Sequence, residues 1–299
     1  MSRSPYRAQA ALLQENRVDQ TIWRLAAGLV VAAIVMVTLN SSLQAAIMRL
    51  APSLWVTHFS EAAGLGQTPF SMLVTLFSFG FLIIGISVAL RLVHKRGLSS
   101  LLGPRSVFIG QSVRVLSVLL AIGAVLLVLP PYNLGMELVD NLPFSRWLVL
   151  LPFGLVAVFI QSASEEILFR GYIQQQLAAR FSHPAIWMAL PALLFAFGHY
   201  VPADAGDNAL LLAIWSGLFG VLMADLTARA GSLGPAIILH TFNNVSALLF
   251  VSLPDNLNGL ALYVTPVGMN DTELLRAWLP VDFATTIVFW LAARLAIRR

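Results

Sequence analysis

Three short stretches of this chain place ionisable and amide side chains one helical turn apart inside otherwise apolar sequence. SASEEILFRGY, at 162–172, holds Glu165, Glu166 and Arg170. FAFGHY, at 195–200, holds Phe195 and His199, and LHTFNN, at 239–244, holds His240, Asn243 and Asn244. On a helix Glu166 and Arg170 stand at i and i+4, about 40° apart, which suits an ion pair with the glutamate first. Glu165 points about 100° away from Glu166. The spacing therefore predicts one glutamate held by the arginine and one left free. His240 and Asn244 share a face by the same rule, and Phe195, one turn before His199, packs against its ring. Plainer readings exist: glutamates that end a span at the lipid headgroups, and buried histidines that are satisfied core residues. A span end needs no acidic pair, however, and two buried histidines with a carboxamide one turn on exceed what packing asks for. Charges inside a span cost roughly 2.5–3.5 kcal/mol each on insertion scales and are functional candidates by default.

One free carboxylate, two imidazoles and one carboxamide make a hydrolytic set. Glu165 can take a proton from water as general base, and His199 can position the same water. His240 and Asn244 can donate to the oxyanion that develops when a peptide bond is attacked. A second version of the set uses zinc, with Glu165, His199 and His240 as ligands and one open position for water. The sequence does not choose between the two. No serine sits in a nucleophile elbow, no Ser-His-Asp set is evident, and HExxH is absent. There is no cysteine, which rules out a thiol nucleophile, thiolate ligands and disulfides.

The motifs EEILFR, FAFGH and HTFNN, in that order, resemble those of the CPBP intramembrane protease family. That family includes the type II CAAX prenyl endopeptidases and bacterial relatives such as lysostaphin-resistance-like and bacteriocin self-immunity proteins. Its pattern is two glutamates with an arginine four after the second, a phenylalanine with a histidine four later, and a histidine with an asparagine four later. Here these are Glu165, Glu166 and Arg170, then Phe195 and His199, then His240 and Asn244. The resemblance covers 159–250 and departs from none of the motif residues. It implies an integral-membrane endopeptidase in which Glu165 and His199 activate water, His240 and Asn244 form the oxyanion site, and Glu166 and Arg170 support Glu165. Members have been described both as metalloproteases and as metal-independent glutamate enzymes.

The elements that must position these residues are membrane helices. The 299 residues are 58% hydrophobic and 11% charged, with a mean hydropathy of +0.81, against roughly 25% charged in soluble domains. Eight apolar segments centre near Val31, Phe81, Leu119, Leu155, Leu193, Leu218, Leu248 and Val288. Alternate loops are basic: Arg3, Arg7 and Arg17; Arg91, Lys95, Arg96 and Arg105; Arg170 and Arg180; Arg229; and Arg294, Arg298 and Arg299. The loops between carry Glu61, Glu137, Asp140, Asp204, Asp207, Asp255, Asp271 and Glu273, with Arg49, Arg146 and Arg276 as exceptions. This alternation predicts an all-α polytopic transmembrane bundle of about eight spans with both termini cytoplasmic. It also explains the net charge of +4 without nucleic acid, because the basic residues are scattered rather than gathered on one face.

The expected organisation is a single membrane domain over 1–299, with a polar cytoplasmic segment at 1–20 that lacks a signal-peptide cleavage pattern, and catalytic core helices at about 146–252. The stretch from Pro254 to about Arg276 is expected to cover the outer face or form a short interfacial helix. His58, His94 and His183 lie near span ends and read as surface residues, and Asp225 with Arg229 reads as a surface ion pair. Gly231, Ser232 and Pro235 read as a turn and helix start. Counting along the spans sets Glu165 and His240 near the cytoplasmic face but His199 in the outer half. The motifs meet only if the fifth span starts late, tilts or breaks at Pro191, or if the fourth continues beyond Arg170.

The leading expectation is thus a membrane-embedded peptidase for a hydrophobic, lipidated or membrane-bound peptide, in a bacterial cytoplasmic membrane. A non-catalytic immunity or scaffold protein of the same fold is the alternative, and predicts that Glu165→Ala leaves function intact. A transporter using Glu165 and the histidines as a proton relay ranks last, since no inverted repeat or interrupted helix pair is seen.

Overall fold

The structure, a computed structural model, describes residues 5–15, 21–60, 64–128, 137–255 and 257–298. Arg3, Arg17, Glu61 and Arg299 lie outside the described residues. The chain is an all-α helical bundle. Its helices are α1 (Arg7–Glu15), α2 (Ile22–Leu50), α3 (Pro52–Phe59), α4 (Pro69–Ser78), α5 (Gly80–Val93), α6 (Ser99–Leu102) and α7 (Arg105–Val128). After these come α8 (Phe144–Glu166), α9 (Gln174–Arg180), α10 (Pro184–Gly198), α11 (Pro202–Ala205), α12 (Ala209–Ala230), α13 (Gly234–Val245) and α14 (Thr272–Ala296).

Local chemistry sets several of these boundaries. Proline, whose missing N–H costs nothing in a first turn, opens α3, α4, α10, α11 and α13. Thr68 and Ser71 cap α4 reciprocally, each side chain taking the other's backbone N–H. Gly231, at φ +67°, closes α12 by donating to the Thr227 carbonyl, and Pro235 then starts α13, as the sequence predicts.

Each of the eight expected span centres falls in a helix, but the helices are not of equal reach. Six helical stretches among the described residues are long and apolar enough to cross a membrane: Ile22–Leu50, Pro69–Val93, Arg105–Leu126, Phe144–Arg180, Pro202–Ala230 and Leu275–Ala296. The remaining two segments are shorter. The α10 helix has 15 residues, and α13 has 12 before a five-residue wide-turned extension, Ser246–Phe250.

The segment after Pro254 forms a strap rather than an interfacial helix. Its strand β3 (Tyr263–Val264) pairs antiparallel with β1 (Val139–Asp140) and parallel with β2 (Val251–Ser252). The first precedes α8 and the second follows α13, so the strap ties together two of the three helices that carry the motifs. Leu260 of the strap is buried with Met72, Leu76, Ala157, Val158 and Leu249, and the Trp147 indole N–H donates to the Leu249 carbonyl at 2.7 Å.

At the opposite end, α1 lies across α12. Tyr6 donates to Asp225 at 2.9 Å, and Arg229 grips both Asp225 oxygens at 2.8 and 2.9 Å. Burial, reinforced by the bond to Asp225, pushes the Tyr6 phenol above its ordinary range, so it stays a donor. Asp225 is therefore buried, not part of a surface pair, because α1 covers it. His94 is also buried. Its Nε2 lies 2.7 Å from the Tyr172 hydroxyl and its Nδ1 3.3 Å from Gln176 Nε2. His58 Nδ1 meets the cap hydroxyl of Thr68 at 2.9 Å, and His183 caps α10 from an exposed position.

Helix α2 packs on α5 through small residues, where a Cβ on Gly85 would fall 2.5 Å from the Ala32 carbonyl oxygen. Backbone, unlike a side-chain tip, does not yield cheaply. Gly85→Leu is expected to prise these helices apart, costing about 1–3 kcal/mol and lowering the melting temperature in detergent.

Candidate active site

The glutamates do not end a helix. Beyond Glu166 the chain continues through Ile167–Ile173 with widened turns, the Gln174 N–H bonding to the Phe169 carbonyl five residues back. It then runs on as α9, so one stretch of 37 residues spans Phe144–Arg180. Turns of this kind are rare and concentrate at functional sites. A second set, Ser246–Phe250, follows the His240 motif directly. The α10 helix passes through Pro191 without a break and ends with His199 as its cap.

The fourth span continues beyond Arg170, which is one of the ways in which the motifs can meet. Phe195 reports the result: its ring lies 4.3 Å from that of His199 and 6.2 Å from that of His240. Both histidines therefore pack on one phenylalanine.

The centre of the site is Glu166, at 0% side-chain exposure. Its Oε1 accepts from Arg170 at 3.0 Å and from His240 Nδ1 at 2.7 Å. Arg170, also buried, turns a second nitrogen to the Gly220 carbonyl at 3.1 Å and lies 5.0 Å over the Phe195 ring. The predicted i,i+4 pair is present, and α13 adds a third member to it. Glu165 stands apart from that pair, as its angle requires. It is not isolated: its Oε2 lies 3.5 Å from His240 Nε2. His240 thus bridges the two glutamates, one through each ring nitrogen.

The hydrogen positions follow from the partners. A carboxylate only accepts, so His240 Nδ1 carries the hydrogen toward Glu166, and Nε2 is the atom turned to Glu165. His199 Nδ1 lies 2.8 Å from the Phe195 carbonyl, which also only accepts. A neutral His199 ring therefore keeps a lone pair on Nε2. His199 is exposed and the Glu165 side chain is 13% exposed, whereas Glu166, Arg170 and His240 are buried. The groups suited to meet water are open, and those that brace them are closed off.

Asn244 reaches this group through a residue the sequence reading did not single out. Its Nδ2 donates to Gln161 Oε1 at 2.9 Å, while Asn243 Nδ2 donates to Asn244 Oδ1 at 3.2 Å. Gln161 lies one turn before Glu165 on α8. An amide at i−4 from a candidate base, in an apolar run, was the available signal.

A zinc site would need Glu165, His199 and His240 to converge. Glu165 and His240 approach, but His199 rests on Phe195. Among the described residues no three His, Asp or Glu side chains form a metal-holding group. As placed, the residues do not fit a three-ligand shell.

Comparison with known proteins gives one family match and one curated relative. Residues 146–246 match the family described as Rce1-like, type II CAAX prenyl endopeptidase Rce1-like. The matched segment is about a third of the chain. It contains every motif residue from Glu165 to Asn244, along with Gln161. The chain is also similar to the uncharacterized protein YyaK of Bacillus subtilis (strain 168), at 23% identity over 188 residues, 60% of each chain. The chain thus spans 60% of the length of that curated relative. No solved structure matches.

Removing Arg170 would leave Glu166 buried with His240 alone. Stripping one partner from a buried pair costs about 3–5 kcal/mol, so Arg170→Ala is expected to lower the melting temperature in detergent sharply. Arg170→Lys keeps the charge but loses the fork that serves both Glu166 and Gly220, and should fall between.

Proposed function

We propose that this chain is an intramembrane endopeptidase that hydrolyses a peptide bond in a hydrophobic, lipidated or membrane-bound substrate. The observation that carries this reading is the partly open Glu165 carboxylate beside His240, whose far nitrogen is anchored on the buried Glu166–Arg170 pair. The family of residues 146–246 supports both the reaction type and a prenylated peptide as one substrate class.

In the proposed reaction Glu165 takes a proton from water as its oxygen attacks the scissile carbonyl carbon. His199, with its Nε2 lone pair, accepts from the same water and orients it. The carbonyl π electrons move to oxygen, and the resulting oxyanion accepts from the second N–H of Asn244. When Nε2 is protonated, His240 donates to Glu165 and, once Glu165 has taken its proton, to the oxyanion. The intermediate collapses as the C–N bond breaks, and the proton held on Glu165 passes to the leaving amine. Residues 146–252 form the catalytic core in this reading. The bacterial relative supports a bacterial cytoplasmic membrane as the location.

Glu165→Gln keeps the size of the side chain and removes the base. It should abolish cleavage of a farnesylated, internally quenched peptide ending in a CAAX sequence, with melting in detergent unchanged. Near-normal turnover would remove Glu165 from the mechanism and favour the scaffold reading. Asn244→Ala is expected to cost about 10²–10³ in kcat, the usual loss on deleting one oxyanion donor.

A further inference from the structure

Gln161 belongs to none of the three motifs, yet it is the residue that fixes Asn244. The residue is 7% exposed. It sits on the α-helical part of α8, so its side chain shares a face with Glu165 one turn on. Gln161 Oε1 accepts from Asn244 Nδ2 at 2.9 Å and from the Ser162 hydroxyl at 3.2 Å. The Ser164 hydroxyl donates to the Gln161 backbone carbonyl at 2.7 Å. From the other side, Asn243 donates to Asn244 Oδ1 at 3.2 Å.

These contacts couple the orientation of the Asn244 carboxamide to those of Gln161 and Asn243. An asparagine side chain has two donor hydrogens on one end and an acceptor on the other, and rotation by 180° exchanges them. With Oδ1 taken by Asn243 and one Nδ2 hydrogen taken by Gln161, a flip of Asn244 alone would set oxygen against oxygen at Gln161 and hydrogen against hydrogen at Asn243. The unflipped state leaves one Nδ2 hydrogen uncommitted. Because Gln161 and Glu165 stand on the same face of the same helix, the element that carries the base also sets the carboxamide.

We infer that Gln161 is a positioning residue that orients the Asn244 amide, so that its remaining N–H is presented to the reacting carbonyl oxygen. This rests on the hydrolytic reading above, in which Asn244 stabilises the oxyanion. Gln161 touches no reacting atom. Its effect must therefore pass entirely through Asn244, and that is what sets it apart from a packing role.

The test is a double-mutant cycle on the full chain in detergent, with the farnesylated, internally quenched CAAX peptide as probe. Gln161→Met keeps the volume and removes the acceptor. It should lower kcat by about 10–100-fold, the range for losing an outer hydrogen bond that orients a functional side chain, with KM and melting unchanged. Combined with Asn244→Ala, it should add nothing to the loss from Asn244→Ala alone. If Gln161→Met loses the fold, Gln161→Asn, which draws the amide back by one methylene, reads the same contrast. Additive losses, or a change confined to KM, would overturn the role of Gln161 while leaving Asn244 in place. If Asn244→Ala turns over normally, or the wild-type chain leaves the peptide intact, the hydrolytic reading fails and this inference fails with it.

Discussion

A carboxylate with no exposed surface, inside a bundle of apolar helices, is held there only at a large desolvation cost. Removing an ion from water costs several kcal/mol even after the surroundings relax, and the cost is recovered only by well-made pairs and hydrogen bonds. Glu166 is such a group, and one of its oxygens takes both Arg170 and His240. The arginine is supplied by the same helix one turn on, so that half of the arrangement is nearly local. The histidine comes from α13, and its bond requires α8 and α13 to lie in one register. Pairing Glu166 Oε1 therefore orients His240, and an oriented His240 brings its second nitrogen to Glu165. The more exposed glutamate is placed as a consequence of pairing the buried one.

The surrounding elements can be understood as means to that register. The wide turns after Glu166 let the helix continue while Arg170 folds back under Phe195 and reaches the Gly220 carbonyl. Gly220 lacks a side chain where α12 presses on α10, with the Cα of Ala192 3.1 Å from where its Cβ would be. The strap through β3 joins the start of α8 to the end of α13. Phe195 carries four of the contacts at the centre: both histidines, the Arg170 cation and Phe169. It is better described as a shared wall than as the holder of one imidazole.

What the sequence made legible was whatever depends on composition or one-turn spacing. The all-α membrane class follows from hydropathy, and the Glu166–Arg170 pair from i,i+4. The two histidines were recognisable as out of place in apolar sequence. What was not legible depends on neighbours distant in the chain. His94 lies near a span end and reads as exposed, yet it is buried because Gly28, far away in sequence, leaves a notch for the Tyr172 hydroxyl, which a Cβ would meet at 1.8 Å. Asp225 and Arg229 read as a surface pair until α1 covers them. The wide turns give no local signal, since Ile167–Ile173 differs little from ordinary apolar helix. Gln161 was passed over because a single amide in a span is unremarkable without Asn244 across from it.

The shortness of α10 has a consequence for the lipid around the protein. Fifteen residues rise only about 22 Å, while the hydrocarbon layer is about 30 Å thick. Leu190, Leu193, Leu194 and Phe197 of this helix are exposed, so it meets acyl chains directly. Thinning of the bilayer beside the short element is one way to absorb a mismatch of that size. The dimple would form at the helix that ends in His199. Water would then approach His199 across less hydrocarbon than elsewhere on the perimeter.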